Sequence, residues 1–173
     1  FLAVNLNQGG SLDNFQPGLD FFKALKDAGN LNTIDVTDAT IDSGQTGVVF
    51  DWSYNQAAIK ERLSKQQNVD WEVLTLPNGE VEQYYNQAVN KDAPHPAAAR
   101  LWEEYLYSPD AQNEWMRGGA IPSLLEKMKK DGTVDKDALA KLPEIKKPVT
   151  YTSKQADAMT TWLGKNWPKT IGN

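Results

Sequence analysis

Cysteine is missing altogether, and histidine occurs once, as His95. The first absence excludes a disulfide framework, a thiolate metal site and a cysteine nucleophile, and it leaves the redox compartment open. The second leaves a metal site or a histidine base without partners at suitable spacing. His95 stands between Pro94 and Pro96, where a helix is expected to start. Clustered positive charge is lacking too: the formal net charge is −5 and the pI is about 4.9. Nucleic-acid binding draws most of its affinity from grouped Lys and Arg, so such a partner is excluded. The nearest approach to a basic run, Lys127, Lys129 and Lys130 with Lys146 and Lys147 further on, is interleaved with acids or prolines and reads as solvated helix surface. No apolar stretch approaches the ~20 residues of a membrane-spanning helix. The opening Phe1 to Leu6 is too short, and has no basic lead-in, to be a signal peptide. It reads as an amphipathic segment with sequence preceding it.

A chain of 173 residues can bury about two thirds of its unfolded surface, enough for a core without staples. Helix signals recur along it. Residues 1–6 look helical and Gly9-Gly10 stops them; Pro17 opens a helix with Leu19, Phe22 and Leu25 on one face until Gly29. Thr37 to Gly44 reads as a capped turn closed by glycine. Residues 56–67 are again helical, with Glu61 and Lys65 spaced for a pair. Strands are expected over 30–36, over the apolar run Gly47-Val48-Val49-Phe50, over 71–76 before a Pro77-Asn78-Gly79 turn, and over 84–89. From His95 onward the chain reads as helices divided by Ser108-Pro109, Gly118-Gly119, Asp131-Gly132, Pro143 and Pro148, with Leu101, Trp102, Tyr105 and Leu106 on a core-facing stripe. Trp102, Trp115, Trp162 and Trp167 are expected to pack in the interior. Helices alternating with short strands predict an α/β fold, a small mostly parallel sheet flanked by helices, with a helix-rich carboxy-terminal half. The order of elements divides the chain into residues 1–76, an α/β lobe, and residues 77–173, a return strand and helical region.

Two stretches carry a family resemblance. Asn90-Lys91-Asp92-Ala93-Pro94-His95-Pro96-Ala97-Ala98-Ala99-Arg100-Leu101-Trp102-Glu103-Glu104-Tyr105-Leu106-Tyr107-Ser108-Pro109-Asp110-Ala111-Gln112 resembles a long, ordered signature of type II periplasmic solute-binding proteins. Thr40 to Asn55 is similar to the same family's helix, glycine turn, buried strand and ligand-side loop, departing at Gly47. The resemblance is greatest to the branch that carries polyamines, 2-aminoethylphosphonate and ferric iron. It implies a type II lobe, capture of a small solute by lobe closure without catalysis, the membrane subunits of an ABC importer as partners, and a periplasmic or extracellular location that allows a lipid anchor. It calls for no cofactor and no resident metal. Family members are longer and build a first lobe from sequence that would precede Phe1, so this chain aligns with their later part. A lobe without its mate is expected to self-associate through the face left bare.

In open α/β sheets, ligands lie beyond the carboxyl ends of the strands. Asp51, Trp52, Ser53, Tyr54 and Asn55 are placed there by the expected strand at 47–50. Asp51 supplies an anionic acceptor for an amine, or else caps the strand end. Trp52 offers a face for a cation, or packs in the core. Ser53 and Asn55 orient polar atoms, and Tyr54 suits either a hydroxyl contact or an iron-bound phenolate. Tyr84 and Tyr85 are adjacent, so on a strand only one of them faces the cleft. Gly118 to Pro122 reads as a helix-breaking connector. The competing reading, a hydrolase built on a carboxylate pair, needs two buried carboxylates about 5 to 10 Å apart, and no spacing in the sequence fixes such a pair.

Overall fold

A computed structural model describes residues 1–65 and 69–172. Its helices, in chain order, are α1 (Leu2–Asn7), α2 (Gln16–Asp27), α3 (Asp38–Asp42), α4 (Ser53–Leu63) and α5 (Pro96–Leu106). They continue with α6 (Pro109–Arg117), α7 (Leu125–Asp131), α8 (Lys136–Leu139) and α9 (Ser153–Thr170). The start signals in the sequence explain most of them. Pro17 and Pro96 lie in first turns, where the missing N–H is no loss. Thr37 and Thr152 each form a capping box with Thr40 and Gln155, and Ser108 and Asp135 cap α6 and α8. The expected end of the fourth helix at Gln67 falls outside the described residues.

Contacts group the chain into two compact units. Residues 1–50, 74–83 and 144–173 form the first, and residues 51–73 and 84–143 the second. In the first, Val4, Leu19, Phe22 and Ile171 are buried together, with Trp162 and Trp167 of α9 packed against them. Phe22 centres the aromatic part, with ring centroids 5.3 Å from Trp167, 5.8 Å from Phe50 and 6.0 Å from Phe1. Burial of each such side chain contributes about 1.5–3 kcal/mol, so the three-residue spacing of Leu19 and Phe22 is what docks α2. Asn5 is fully buried beside this cluster. Its Nδ2 donates to the carbonyls of Ser11 (3.0 Å) and Asn14 (2.9 Å), and its Oδ1 accepts from the Gly18 N–H (2.9 Å).

In the second unit Leu63, Met116 and Met128 are the most buried apolar side chains. Polar pins accompany them. Asn113 donates to the Thr133 carbonyl and accepts from the Asp135 N–H, each at 2.8 Å, which ties α6 to the start of α8. Asp135 also accepts from the N–H groups of Ala138 and Asp137, and Arg117 Nε donates to it at 2.9 Å. The Ala138 N–H, then Arg117, hold the Asp135 carboxyl below its ordinary value of 3.8. A depressed folded value means that the contribution of Asp135 is present above pH 3.8 and is lost as the pH falls below it. Asp135→Asn is therefore expected to lower the melting temperature at pH 6, with the gap from wild type closing at pH 3; thermal scans at the two pH values test this.

The expected sheet is not found. Among the described residues the β structure is one isolated parallel bridge, Val81 to Val149. The run 47–50 is not a doubly buried strand: Val48 is 77% exposed, and Phe50 packs to one side on Phe21 and Phe22. In 30–36, Ile34 and Val36 are exposed; in 71–76, Leu74 is 84% exposed; in 84–89, Tyr84 and Tyr85 are exposed. An apolar run becomes a strand only when a neighbour pairs its backbone, and none is supplied. The positions suggest what the runs do instead. The chain passes between the two units at 50/51, 73/74, 83/84 and 143/144, and three of the four expected strands end at, span or begin at the first three of these crossings. The stripe on α5 departs from expectation as well: no residue of α5 is buried, and Leu101, Trp102 and Tyr105 are exposed, as is Trp115 on α6.

Candidate functional site

All seven residues singled out in the sequence lie in the second unit. Asp51 and Trp52 precede α4, and Ser53, Tyr54 and Asn55 form its first turn rather than a loop beyond a strand. Trp52 is the N-cap, supplies no side-chain cap, and is 41% exposed, so it is not a core aromatic. Ser53 and Tyr54 are half-buried; Asp51 and Asn55 are exposed.

The structure joins these residues in two places. The Asp51 carboxylate accepts from Asn55 Nδ2 at Oδ1 (3.2 Å) and from Gln56 Nε2 at Oδ2 (2.9 Å). Both donors are side-chain amides, so Asp51 does not serve as a backbone cap. No Lys or Arg forms an ion pair with it among the described residues. The charge on the carboxylate is thus oriented without being neutralised. Gln56 is buried and its Oε1 accepts from Trp71 Nε1 at 3.0 Å.

The second junction is between tyrosines. The hydroxyls of Tyr54 and Tyr85 are 2.9 Å apart. This hydrogen bond, with smaller effects of desolvation and of the charges on Tyr85 and Asp51, raises the Tyr54 phenol above its ordinary value of 10. Tyr85→Phe is expected to bring the Tyr54 titration back toward that value in a spectrophotometric titration of phenolate absorbance; an unmoved titration would show that the hydroxyls do not meet in solution. Tyr84 and Tyr85 are both exposed, and Tyr85 is the one that reaches α4.

Gly119 also reaches this place. It has φ +85°, and a Cβ built there would stand 3.0 Å from Ala57 Cβ and 3.4 Å from Tyr54 Cα. The Gly118-Gly119 segment is therefore more than a connector, since its lack of a side chain lets the backbone close on the first turns of α4. Gln56 and Trp71 are the residues that sequence reasoning missed. Elsewhere in the unit, a hollow lined by Arg117, Asp135, Asp137, Ala138 and Lys141 contains the Arg117–Asp135 pair already described.

The arrangement offers a fixed, uncompensated carboxylate, exposed aromatic faces and hydroxyls. It suits recognition of a polar solute, and among the described residues no cluster of three or more His, Asp or Glu could hold a metal ion. The family model for bacterial extracellular solute-binding proteins matches residues 1–150. The chain belongs to that family. Solute-binding proteins of this family work outside the cytoplasm and take a small molecule as ligand, and the family is one of binding proteins rather than of enzymes. Membership is compatible with a type II lobe, although the sheet of such a lobe is not formed among the described residues. No curated protein matches the sequence.

Proposed function

We propose that this solute-binding protein captures a small cationic or zwitterionic solute, a polyamine or an aminophosphonate, for an ABC-type importer by lobe closure. The observation that carries the reading is the Asp51 carboxylate, held by neutral amides and unpaired with any cation among the described residues. An ammonium group meeting it gains a charge-assisted hydrogen bond, and the exposed Trp52 and Tyr84 rings offer faces to the same cation. Ser53, Asn55 and the Tyr54–Tyr85 pair provide polar contacts for the rest of the molecule. The first turn of α4 has no side-chain cap, so its N–H groups suit the anionic end of a zwitterion.

The test is isothermal titration with putrescine, spermidine, 2-aminoethylphosphonate and a neutral sugar. Heat with the amines and none with the sugar is the expected result; binding of the sugar alone overturns the reading. A second reading has its own observation. The Tyr54–Tyr85 hydroxyl pair near Asp51 resembles a phenolate set for ferric ion. Ionising the Tyr54 phenol is opposed by its hydrogen bond to Tyr85, which favours the amine reading in the ligand-free protein. Titration with ferric citrate distinguishes the two, because phenolate bound to iron gives a visible charge-transfer colour.

A further inference from the structure

We infer that Gln56 and Trp71 are positioning residues of this site: a relay from the half-buried Trp71 indole through the buried Gln56 amide fixes the exposed Asp51 carboxylate as an acceptor that no cation among the described residues neutralises. The inference rests on the amine-binding reading and adds to it two residues that need not touch the solute.

The argument begins with donor and acceptor inventory. An indole N–H can only donate, so the atom of Gln56 that faces Trp71 Nε1 at 3.0 Å must be the oxygen. Which end of a glutamine amide is oxygen is otherwise a matter of choice, and here Trp71 settles it. The Gln56 nitrogen is thereby turned toward Asp51 Oδ2, 2.9 Å away. A donor at that position holds the plane of the carboxylate, while Asn55 does the same for Oδ1. A carboxylate has about four lone-pair sites, so roughly two remain for a solute. Had lysine or arginine held Asp51, its orientation would be similar but its charge would be spent. Neutral amides give orientation alone.

Burial separates this relay from ordinary surface hydrogen bonding. Gln56 is 7% exposed, on a helix whose other buried residue is Leu63 at its far end. A buried amide with both ends engaged is rigid, whereas an exposed aspartate left to itself samples several rotamers. Lys60 Nζ and Glu72 Oε2 pair at 2.7 Å on the exposed side and also tie the 69–73 segment to α4. The relay does something that the ion pair does not: it reaches the carboxylate.

Two measurements on the whole chain test it. In the ligand-free protein, the Trp71 indole N–H and the Gln56 side-chain amide are followed by nitrogen-resolved NMR. Asp51→Asn is expected to shift both signals and Asp92→Asn, at an exposed position elsewhere, neither. If Asp51→Asn moves neither, the relay is absent and the inference falls whatever the protein binds. With putrescine as the probe, Trp71→Phe and Gln56→Met are expected to raise Kd about five- to tenfold, and Asp51→Asn roughly thirtyfold or more. Trp71→Phe keeps the ring and removes only the N–H. A merely structural role would lower its melting temperature and leave Kd alone. Should Asp51→Asn weaken binding while both other variants bind like wild type, the relay is overturned and the amine reading stands. Putrescine binding that ignores Asp51→Asn overturns the amine reading itself.

Discussion

Replacing Asn5 with leucine is expected to remove about 3–5 kcal/mol of stability, read from urea unfolding followed by tryptophan fluorescence. Leucine keeps the branching of the side chain, but its methyls are larger than the amide atoms, so overpacking against Gly10 and Gly18 adds to the loss of hydrogen bonds. Leucine leaves the Gly18 N–H without its acceptor in a place closed to water, and it takes the side-chain donor from the Ser11 and Asn14 carbonyls, which belong to exposed residues. Each buried polar group abandoned in this way costs about 1–3 kcal/mol. The Asn14 carbonyl keeps one bond, from the Ser11 N–H at 3.0 Å, which is why the lower part of the range applies to it. The surroundings are fitted to the amide: a Cβ at Gly18 would stand 2.8 Å from Asn5 Cβ, and one at Gly10 would overlap the amide itself. Aspartate is no substitute, because it keeps the acceptor but turns a buried charge toward two carbonyl oxygens. For a domain whose whole stability is about 5–15 kcal/mol, this loss is a large fraction. An unfolding midpoint unchanged by Asn5→Leu would mean that the α1–α2 connection does not close around this side chain.

Asp51→Lys is expected to weaken binding of putrescine by about a hundredfold or more, since it removes a charge-assisted acceptor and sets a like charge against the solute. Titration calorimetry at low and at high salt checks it in two ways. Wild-type affinity should fall as salt rises, the exposed carboxylate being screened within about 10 Å at 0.1 M, whereas the residual affinity of the variant should not. Asp51 itself is exposed, but the variant leaves the buried Gln56 Nε2 without its acceptor, so a loss of stability of about 1–3 kcal/mol is expected beside the loss of binding. Unchanged affinity in Asp51→Lys would remove the observation on which the proposed function stands.

Helices were legible because their punctuation is local. Pro17, Thr37, Pro96 and Ser108 each act within four residues of themselves, and each marks a helix start in the structure. Strands were not legible, because an apolar tetrad such as Gly47–Phe50 has the same appearance whether a neighbour pairs with it or it runs along the surface of its unit with one ring laid against Phe21 and Phe22. The α5 stripe failed for a related reason. Periodicity reveals that Leu101, Trp102 and Tyr105 share a face, but not what that face meets. At the site, Asp51 to Asn55 stood out through residue type. Their fixing partners did not, since Trp71 lies 15 residues from Gln56 and Tyr85 lies 31 from Tyr54, and such pairings leave no repeat in the sequence.

The first unit takes α1, α2 and α3 from one stretch of chain and α9 from another, with the whole second unit's sequence between the pieces except for residues 74–83. During synthesis, which proceeds at about 5–20 residues per second, Val4, Leu19 and Phe22 therefore emerge well before Trp162, Trp167 and Ile171 exist to cover them. The apolar face of α2 must wait through more than 120 residues of translation, since Phe22 and Ile171 are separated by that much chain. Until α9 is made, the apolar face of α2 lacks the Trp162, Trp167 and Ile171 side chains that cover it in the folded unit, so this core is completed last by the most distant part of the chain.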